Sequence, residues 1–290
     1  MGIAKRRWKV AVLVVAVAFF TLIGYELIGV RGTFAPSRPA SGAGGTAVLV
    51  GAAGHRTVGR VYLSGTPPSA APLVVVLHGD APFEKPGYQY FFALRLADAA
   101  PGTRVVALLR PGYADPYGDK SDGDRGFALG ENYTREDIDE LVSAIQLLKS
   151  RWQNPSVVVV GHSGGAVLAA DIAALNPGLV KHVFLVGCPC DVPAFRRHMA
   201  RLQWSPLWLV PVHSLSPMQT LDQMKKNTAI TAISGSGDPI ALPQYAQSYV
   251  AKARGLGIPA SMTVLPGKGH EILNEPAVIN QVATSVRSDP

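Results

Sequence analysis

The stretch Ser156–Ala174, SVVVVGHSGGAVLAADIAA, decides how the rest of the chain is interpreted. Its four consecutive valines, Val157–Val160, predict a strand buried on both faces, because β-branched side chains pack well on a pleated surface and no polar residue alternates with them. The segment GHSGG at Gly161–Gly165 predicts a tight turn, and the small residues after it predict a helix. Glycines in such a turn remove Cβ atoms that would clash and lift the serine clear of the sheet. Ser163 is therefore the candidate nucleophile, and the alternative is an ordinary Gly-Ser turn that begins a helix.

Length and composition favour one folded domain with a leader. The chain has 290 residues, of which 48% are hydrophobic, enough to bury one sizeable core. The net charge of +7 is concentrated at the amino end, where residues 1–31 contain five basic residues and one acidic residue. No basic stripe interleaved with aromatic residues follows, which argues against a nucleic-acid-binding protein.

The amino end has the pattern of a membrane segment. The cationic start MGIAKRRWK precedes an apolar run, Val10–Val30, that only Thr21 and Glu26 interrupt. A run of this length predicts a transmembrane helix, and the preceding positive charge predicts that its start is cytoplasmic. We interpret residues 1–31 as a signal anchor or a signal peptide, and the lack of a clear A-x-A cleavage site favours the anchor.

This pattern also predicts the location of the protein. The rest of the chain is expected on the outer face of a bacterial-type cytoplasmic membrane, or secreted if the leader is cleaved. Residues 32–45, GTFAPSRPASGAGG, are rich in Gly, Pro, Ser and Ala and predict a flexible linker. Residues 46–290 are then the folded domain.

Strands and helices alternate along this domain. The edge segments Thr46–Gly51 and Thr57–Leu63 predict an antiparallel hairpin. The later predicted strands are Leu73–Leu77, Arg104–Leu109, Val157–Val160, Val180–Val186, Ala229–Ile233 and Ser261–Leu265. Helices are predicted over Tyr88–Ala100 and Thr134–Trp152, the second opened by a capping box of Thr134 with Asp137. The alternation predicts an α/β fold with a mainly parallel central sheet and helices on both faces.

Two further loops follow predicted strands and carry the partners that a serine nucleophile needs. A neutral serine requires a base, and the base requires a carboxylate that fixes its tautomer. Asp238 lies in GSGDP after the strand at Ala229–Ile233, and His270 lies in GKGHE after the last strand. Asp191 is the alternative acid. The other two histidines near these loops, His78 and His162, are interpreted as structural.

The chain resembles the α/β-hydrolase superfamily. The motifs that carry the resemblance are LHGD at Leu77–Asp80, RPGY at Arg110–Tyr113, GHSGG at Gly161–Gly165, GSGDP at Gly235–Pro239 and GKGHE at Gly267–Glu271. The resemblance implies Ser163 as nucleophile, Asp238 as acid and His270 as general base. It also implies an oxyanion hole made by the backbone N–H groups of Asp80 and Gly164. Asp80 departs from the small or apolar residue expected there, so its carboxylate must point away or be paired.

The resemblance further implies a short lid or cap insertion at residues 191–226. The insertion carries five basic residues, Arg196, Arg197, Arg201, Lys225 and Lys226, against Asp191 and Asp222. An aminopeptidase cap needs carboxylates for the substrate ammonium. This charge balance therefore favours an ester, including one with an anionic or lipid-like portion, or a lid that lies against lipid head groups. Tyr113, Trp204 and Trp208 are the candidate substrate-binding residues. The alternative is that the lid aromatics only pack the lid onto the domain.

Cys188 and Cys190 are too close in sequence to be expected to form an unstrained disulfide, so we interpret them as packing at a strand end. Too few further ligands lie near them for a metal site, and no metal or organic cofactor is predicted. The predicted function is a serine hydrolase that cleaves carboxylic esters through an acyl-enzyme. Two alternatives remain, namely a peptidase or amidase of the same fold and a non-catalytic binding protein of that fold.

Overall fold

The computed structural model describes residues 8, 12–14, 16, 17, 21, 24, 43–81, 84–126 and 133–288. The predicted membrane segment Val10–Val30 and the predicted linker at residues 32–45 lie largely outside these residues. Among the residues that are described, none forms a helix both long enough and apolar enough to cross a bilayer. The predictions for the amino end therefore stay predictions.

The core of the fold is a mainly parallel sheet. Its strands are β1 (Thr46–Val50), β2 (Thr57–Tyr62), β3 (Leu73–Leu77), β4 (Arg104–Leu108), β5 (Val157–His162), β6 (His182–Val186), β7 (Ala229–Gly235) and β8 (Ala260–Leu265). The strand order across the sheet is β1-β2-β4-β3-β5-β6-β7-β8. β2 runs antiparallel to both β1 and β4, and every other neighbouring pair is parallel. The predicted edge hairpin and the predicted parallel sheet are both confirmed.

Helices cover both faces of this sheet. They are α1 (Tyr88–Ala99), α2 (Arg135–Trp152), α3 (Gly164–Leu175), α4 (Val192–Leu202), α5 (Pro217–Thr220), α6 (Pro243–Gly255) and α7 (Pro276–Ser288). On one face α2, α3 and α6 pack with Val157 and Val159, and on the other α1 and α7 pack with Val158 and Val160. Successive strand residues point to opposite faces, so a strand covered on both sides needs apolar residues at every position. The valine run of β5 meets that need at the centre of the sheet.

The capping box predicted for the second helix is present. The Thr134 side chain accepts a hydrogen bond from Asp137 N at 3.2 Å, and Thr134 N donates to the Asp137 carboxylate at 3.3 Å. Each bond satisfies a backbone or side-chain group at the helix start that would otherwise lack a partner. The box fixes where α2 begins, directly after the segment that carries Tyr133.

The insertion between β6 and β7, which the sequence analysis predicted to be a lid, folds into short helices and turns, and residues 191–226 are called the lid below. It contains α4, a 3-10 turn at Pro206–Leu209, α5 and a second 3-10 turn at Leu221–Gln223. Phe195, Met199 and Trp208 form its apolar centre, which packs on Ile240 and Tyr245 after β7. Trp208 is fully buried, and its indole N–H donates to Gln203 Oε1. The lid therefore packs on the segment after β7 through a small cluster that is separate from the two clusters on the sheet faces.

The interpretation of Cys188 and Cys190 as an unbridged pair is wrong. The two residues form a disulfide across a single proline, with their Cα atoms 5.1 Å apart. Both residues are buried in the main core, just after β6. The turn of the chain at this proline brings the two residues to a Cα separation within the range that a disulfide can span, which sequence separation alone did not reveal.

A buried carboxyl group in α3 makes stability depend on pH. Asp171 is fully buried, accepts one hydrogen bond from Thr220 Oγ1 at 2.6 Å, and has no partner for Oδ2. Burial raises its pKa to about 7, against the opposing effect of the Thr220 hydroxyl. The unfolded chain deprotonates at its ordinary pKa near 4. Between these values only the unfolded state loses the proton, so the contribution of Asp171 to folding stability falls as the pH rises from about 4 to about 7 and is constant above that.

Replacing Asp171 with asparagine is expected to stabilise the protein at pH 8 by about 1–2 kcal/mol, because an amide keeps the Thr220 bond without a buried charge. At pH 4 the same change is expected to be nearly neutral, since the native carboxyl is then protonated. Urea unfolding of both proteins at the two pH values measures the difference. An equal effect at pH 4 and pH 8 would contradict the assignment of a raised pKa.

Candidate active site

The turn between β5 and α3 holds Ser163 in a strained conformation. Ser163 has φ 53° and ψ −121°, in the region that favours glycine, and its N–H donates to Val186 O at 2.9 Å. The backbone packs so tightly here that a Cβ on Gly161 would overlap Gly165 O, and one on Gly165 would overlap Leu77 O. Glycine at both positions lets the strand and helix approach closely enough to present the serine at the end of the sheet.

Three residues distant in sequence meet at this end of the sheet. His270 Nε2 lies 2.9 Å from Ser163 Oγ, and His270 Nδ1 lies 2.8 Å from Asp238 Oδ2. All three side chains are nearly buried. Because a carboxylate only accepts, Nδ1–H of the neutral imidazole donates to Asp238 and leaves Nε2 to accept from the serine hydroxyl. This is the arrangement in which histidine removes a proton from serine.

The loop after β7 holds Asp238 rigidly. Its Oδ1 accepts from Ile240 N at 2.8 Å and from Ala241 N at 2.9 Å, while Oδ2 accepts from His270. The alternative acid Asp191 lies elsewhere and caps α4, where its Oδ1 accepts from Ala194 N at 3.0 Å. The structure therefore brings Asp238, and not Asp191, to the histidine.

The charge around His270 favours its protonated form. Burial alone would lower the pKa of His270, but the hydrogen bond and charge of Asp238, together with the charges of Glu271 and Asp80, raise it above the ordinary value. A raised pKa means that the surroundings stabilise the imidazolium. Such stabilisation is what a general base needs at the moment it holds the proton.

A second hydrogen-bond chain holds the backbone of His270. Gly79 N donates to Tyr88 OH at 2.5 Å, Tyr88 OH lies 2.9 Å from His162 Nδ1, and His162 Nε2 lies 3.1 Å from His270 O. A carbonyl only accepts, so Nε2 of His162 carries the hydrogen and Nδ1 accepts from the tyrosine. Burial lowers the pKa of His162, which keeps this ring neutral. This series of hydrogen bonds connects the His78-Gly79 turn after β3 to the candidate base His270.

His162 thus positions His270, in agreement with the structural role predicted for it. His78 is also fully buried and bonds the backbone: its Nε2 accepts from Arg110 N at 3.1 Å. Burial, aided by the Arg110 charge, lowers the pKa of His78 well below its ordinary value. Sequence reasoning missed Tyr88, which begins α1 with no motif around it.

Asp80 lies beside the nucleophile, and its carboxylate is paired. Arg110 Nη1 donates to Asp80 Oδ1 at 2.8 Å, and Tyr133 OH donates to Asp80 Oδ2 at 2.7 Å. The Arg110 and Asp80 side chains are 4% and 6% exposed, so this ion pair is shielded from water. A Cβ on Gly164 would overlap Asp80 Oδ1. The residues proposed to supply the oxyanion-hole amides, Asp80 and Gly164, are therefore neighbours, and glycine after the serine makes room for the carboxylate.

The three predicted substrate-binding residues differ in where the structure places them. Tyr113 is buried against His78 with a ring-centroid distance of 4.7 Å, and its hydroxyl lies 3.4 Å from Ala81 N. Trp208 is buried in the lid, and Trp204 is 81% exposed on the lid surface. In this structure Tyr113 packs on the His78 ring and Trp204 faces solvent. Trp208 does line a cavity of about 270 Å³, whose lining residues all belong to the lid insertion.

Elsewhere in the described residues, the cavities and side-chain clusters offer fewer groups that could react with a substrate or bind a metal. A cavity of about 780 Å³ lies where α2 and α3 end, and its lining, which includes Lys149, Asn154 and Asn176, contains none of the three hydrogen-bonded residues. Within the described part of the chain, no group of three or more His, Cys, Asp or Glu residues is placed to hold a metal ion.

Comparisons with known proteins agree with the fold. A family model described as the alpha/beta hydrolase family matches residues 74–221. No curated protein matches the chain. An esterase from Pyrococcus furiosus superposes with a TM-score of 0.63 at 14% identity, covering 84% of this chain and 90% of the esterase. The hyperthermophilic esterase of Pyrobaculum calidifontis superposes with a TM-score of 0.61 at 18% identity, over 94% of this chain and 93% of that one.

A puromycin-hydrolyzing peptidase of Mycobacterium tuberculosis also superposes, with a TM-score of 0.62 at 14% identity over 84% of this chain. This chain covers only 39% of the length of that peptidase. Sequence identities this low show that these proteins share a fold, but they do not identify the substrate of this protein. The family model matches residues 74–221, which is half of the sequence, and the sheet with its strained serine turn agrees with that match. The chain therefore belongs to the alpha/beta hydrolase family.

Proposed function

We propose that this protein is a serine hydrolase that cleaves carboxylic esters through an acyl-enzyme intermediate. The observation that carries the proposal is the continuous hydrogen-bonded line from Ser163 Oγ through His270 to Asp238. A serine hydroxyl is a poor nucleophile at neutral pH, and an adjacent oriented base is what activates it. The geometry supplies that base, and the base is oriented in turn by a rigid carboxylate.

In the first half of the proposed reaction, Ser163 Oγ attacks the acyl carbonyl while His270 Nε2 takes the hydroxyl proton. The carbonyl oxygen becomes an oxyanion, which the N–H groups of Asp80 and Gly164 stabilise. His270 then gives its proton to the alcohol oxygen as the bond to the acyl carbon breaks, and the alcohol leaves. Asp238 stays ionised and stabilises the imidazolium throughout.

The second half repeats these steps with water. His270 takes a proton from water, the hydroxyl attacks the acyl-enzyme, and the acid leaves as the proton returns to Ser163 Oγ. The Asp80 carboxylate would oppose charge on the oxyanion if it were unpaired. Its ion pair with Arg110 offsets that repulsion.

Two observations support an ester over a peptide substrate. The lid sequence is basic, with five cations against two carboxylates at residues 191–226, so it offers little to a substrate ammonium. The carboxylate beside the nucleophile, Asp80, is already engaged by Arg110 and Tyr133. The basic lid is compatible with a substrate that has an anionic or lipid-like portion.

The substrate class is tested with matched pairs of an ester and an anilide that share one acyl group, over a series of acyl-chain lengths. Each kcat/KM is divided by the rate of spontaneous hydrolysis of the same compound, with the Ser163→Ala protein as blank. We expect the ester to retain the larger acceleration at every chain length. A larger acceleration of the anilides would make the protein an amidase, and no acceleration of either would favour a binding protein.

The rate of ester cleavage is expected to rise with pH through the pKa of His270. Only the neutral imidazole accepts the serine proton, and the free-enzyme pKa controls kcat/KM. Because Asp238, Glu271 and Asp80 raise this pKa, the half-maximal rate should occur above pH 6.5, the ordinary histidine value. A pH profile of kcat/KM from pH 5 to 9 measures the midpoint, and a midpoint below 6.5 would contradict the raised pKa.

We further propose that residues 1–31 hold the domain at the outer face of a bacterial-type cytoplasmic membrane. The support is the cationic start followed by the apolar run Val10–Val30. Amino-terminal sequencing of the membrane fraction is expected to begin at or near residue 1. A mature amino terminus after residue 31, found in the medium, would instead show a cleaved signal peptide.

A further inference from the structure

The lid carries a cluster of exposed apolar side chains, here named the lid patch. Its members, with their exposed fractions, are Leu202 (42%), Trp204 (81%), Leu207 (39%), Leu209 (59%) and Val210 (53%). All five fall within nine consecutive positions at the end of α4 and along the 3-10 turn. Over residues 43–81, 84–126 and 133–288, the other large exposed apolar residues are scattered: Leu49, Leu63, Phe91, Tyr117, Leu147, Leu256 and Val264. Scattered residues are ordinary on protein surfaces, whereas a contiguous patch marks an interaction surface.

The most exposed member sits on a strained backbone. Trp204 has φ 53°, a conformation shared among described non-glycine residues only with Gln153 and Ser163. It follows α4 at the position where glycine usually ends a helix, with Ser205 N bonded to Ala200 O at 3.0 Å. A bulky side chain is disfavoured at this position, and the exposed indole gains little packing in return. The sequence thus keeps a large apolar side chain exposed at a helix end where a smaller residue would be less strained.

The charges around the patch indicate which surface it fits. Arg197 and Arg201 are exposed on α4 beside the patch, and residues 192–221 contain no Asp or Glu. Cations next to exposed tryptophan and leucine form the pattern of a segment that lies in the interface of an anionic bilayer. Tryptophan suits this depth because its ring is apolar and its N–H is polar.

We propose that the lid patch docks on an anionic lipid bilayer, with Trp204, Leu207 and Leu209 at the boundary of head groups and acyl chains and with Arg197 and Arg201 toward the phosphates. The predicted membrane segment would put a bilayer within reach, since Ala43 is packed on the domain and the 11 linker residues before it extend to at most about 40 Å. Docking requires no catalytic step, so it stands or falls independently of the ester-hydrolase function.

The experiment uses the full chain bound to vesicles. Tryptophan fluorescence can report the lid separately from the leader once the tryptophan of the leader is removed. The background protein carries Trp8→Phe, which removes the tryptophan of the amino end. Vesicles of phosphatidylglycerol and phosphatidylcholine with brominated acyl chains quench a tryptophan that enters the interface. The signal of Trp204 is the difference between this background and the same protein with Trp204→Gly.

The matched controls are a Trp204→Gly protein and a second protein that adds Leu147→Trp to it. Glycine tolerates the positive φ, so Trp204→Gly is expected to fold with an unchanged or higher melting temperature. Trp204→Asn, which also tolerates this conformation, serves if the glycine variant does not fold. Leu147 is 47% exposed on α2, and Leu147→Trp provides an exposed indole outside the patch.

We expect Trp204 to lose most of its emission in the anionic vesicles, and the indole introduced by Leu147→Trp to keep its emission. Replacing Arg197 and Arg201 with glutamine should lower the equilibrium constant for docking roughly tenfold or more, and added salt should lower it as well. Equal quenching of the two indoles, or none, would overturn the proposal. A Trp204-dependent dimer on size-exclusion chromatography without quenching would overturn it in favour of self-association.

Discussion

Replacing His270 with alanine is expected to lower kcat for ester cleavage by a factor on the order of 10⁵–10⁶. The imidazole lies 2.9 Å from Ser163 Oγ and 2.8 Å from Asp238 Oδ2. Its loss removes the base and also removes the histidine partner of the Asp238 carboxylate. The remaining rate would come from substrate binding and the oxyanion N–H groups alone. Steady-state kinetics on an activated ester measure the effect.

The control for this prediction is His55→Ala. His55 is a surface residue whose Nδ1 lies 2.7 Å from Glu140 Oε1, far along the chain from the candidate site. Its loss should leave kcat unchanged. A His270→Ala protein that kept more than about one hundredth of the rate would show that another group acts as the base, since general-base catalysis contributes at least this much.

Replacing Arg110 with methionine is expected to destabilise the fold by about 3–5 kcal/mol. The change removes the cation that pairs with Asp80, whose side chain is only 6% exposed. The Asp80 carboxylate then keeps the hydrogen bond from the Tyr133 hydroxyl but loses its ion pair. Removing one partner of a buried ion pair is costly because the other charge stays buried. Any protein that folds should also have a lower kcat, since an unneutralised carboxylate then lies beside the developing oxyanion.

A second substitution tests this explanation. In the Arg110→Met protein, Asp80→Asn removes the buried charge and should restore much of the lost stability. Urea unfolding of wild type, both single variants and the double variant gives the coupling between the two sites. Additive effects of the two substitutions would contradict the pairing of Asp80 with Arg110.

The sequence predicted those parts of the fold that depend on local pattern. The valine run at Val157–Val160 predicted the central strand, because only residues apolar at every position suit a strand covered on both faces. The glycines around Ser163 predicted the strained turn. The order of serine, acid and histidine, each after a strand, predicted that they would share one edge of the sheet, and the structure places them within hydrogen-bond distance of each other.

The partners that sequence reasoning missed are fixed by tertiary packing. Tyr88 and Tyr133 come from different segments, and they reach the site only because α1 begins there and the loop before α2 ends there. Nothing in their local sequence marks them. The resemblance implied that the Asp80 carboxylate must point away or be paired, and Arg110 belonged to the RPGY motif, yet only the fold brings the two together. The disulfide of Cys188 with Cys190 depends likewise on a turn that spacing did not reveal.

The most direct test of the central claim is the mass of the protein after reaction with a fluorophosphonate. This reagent labels a serine hydroxyl that an adjacent base activates. The account predicts one adduct per chain, located by peptide mapping at Ser163 and absent from the Ser163→Ala protein. An unlabelled wild-type protein, or an adduct on any other residue, would contradict the claim that Ser163 is the nucleophile.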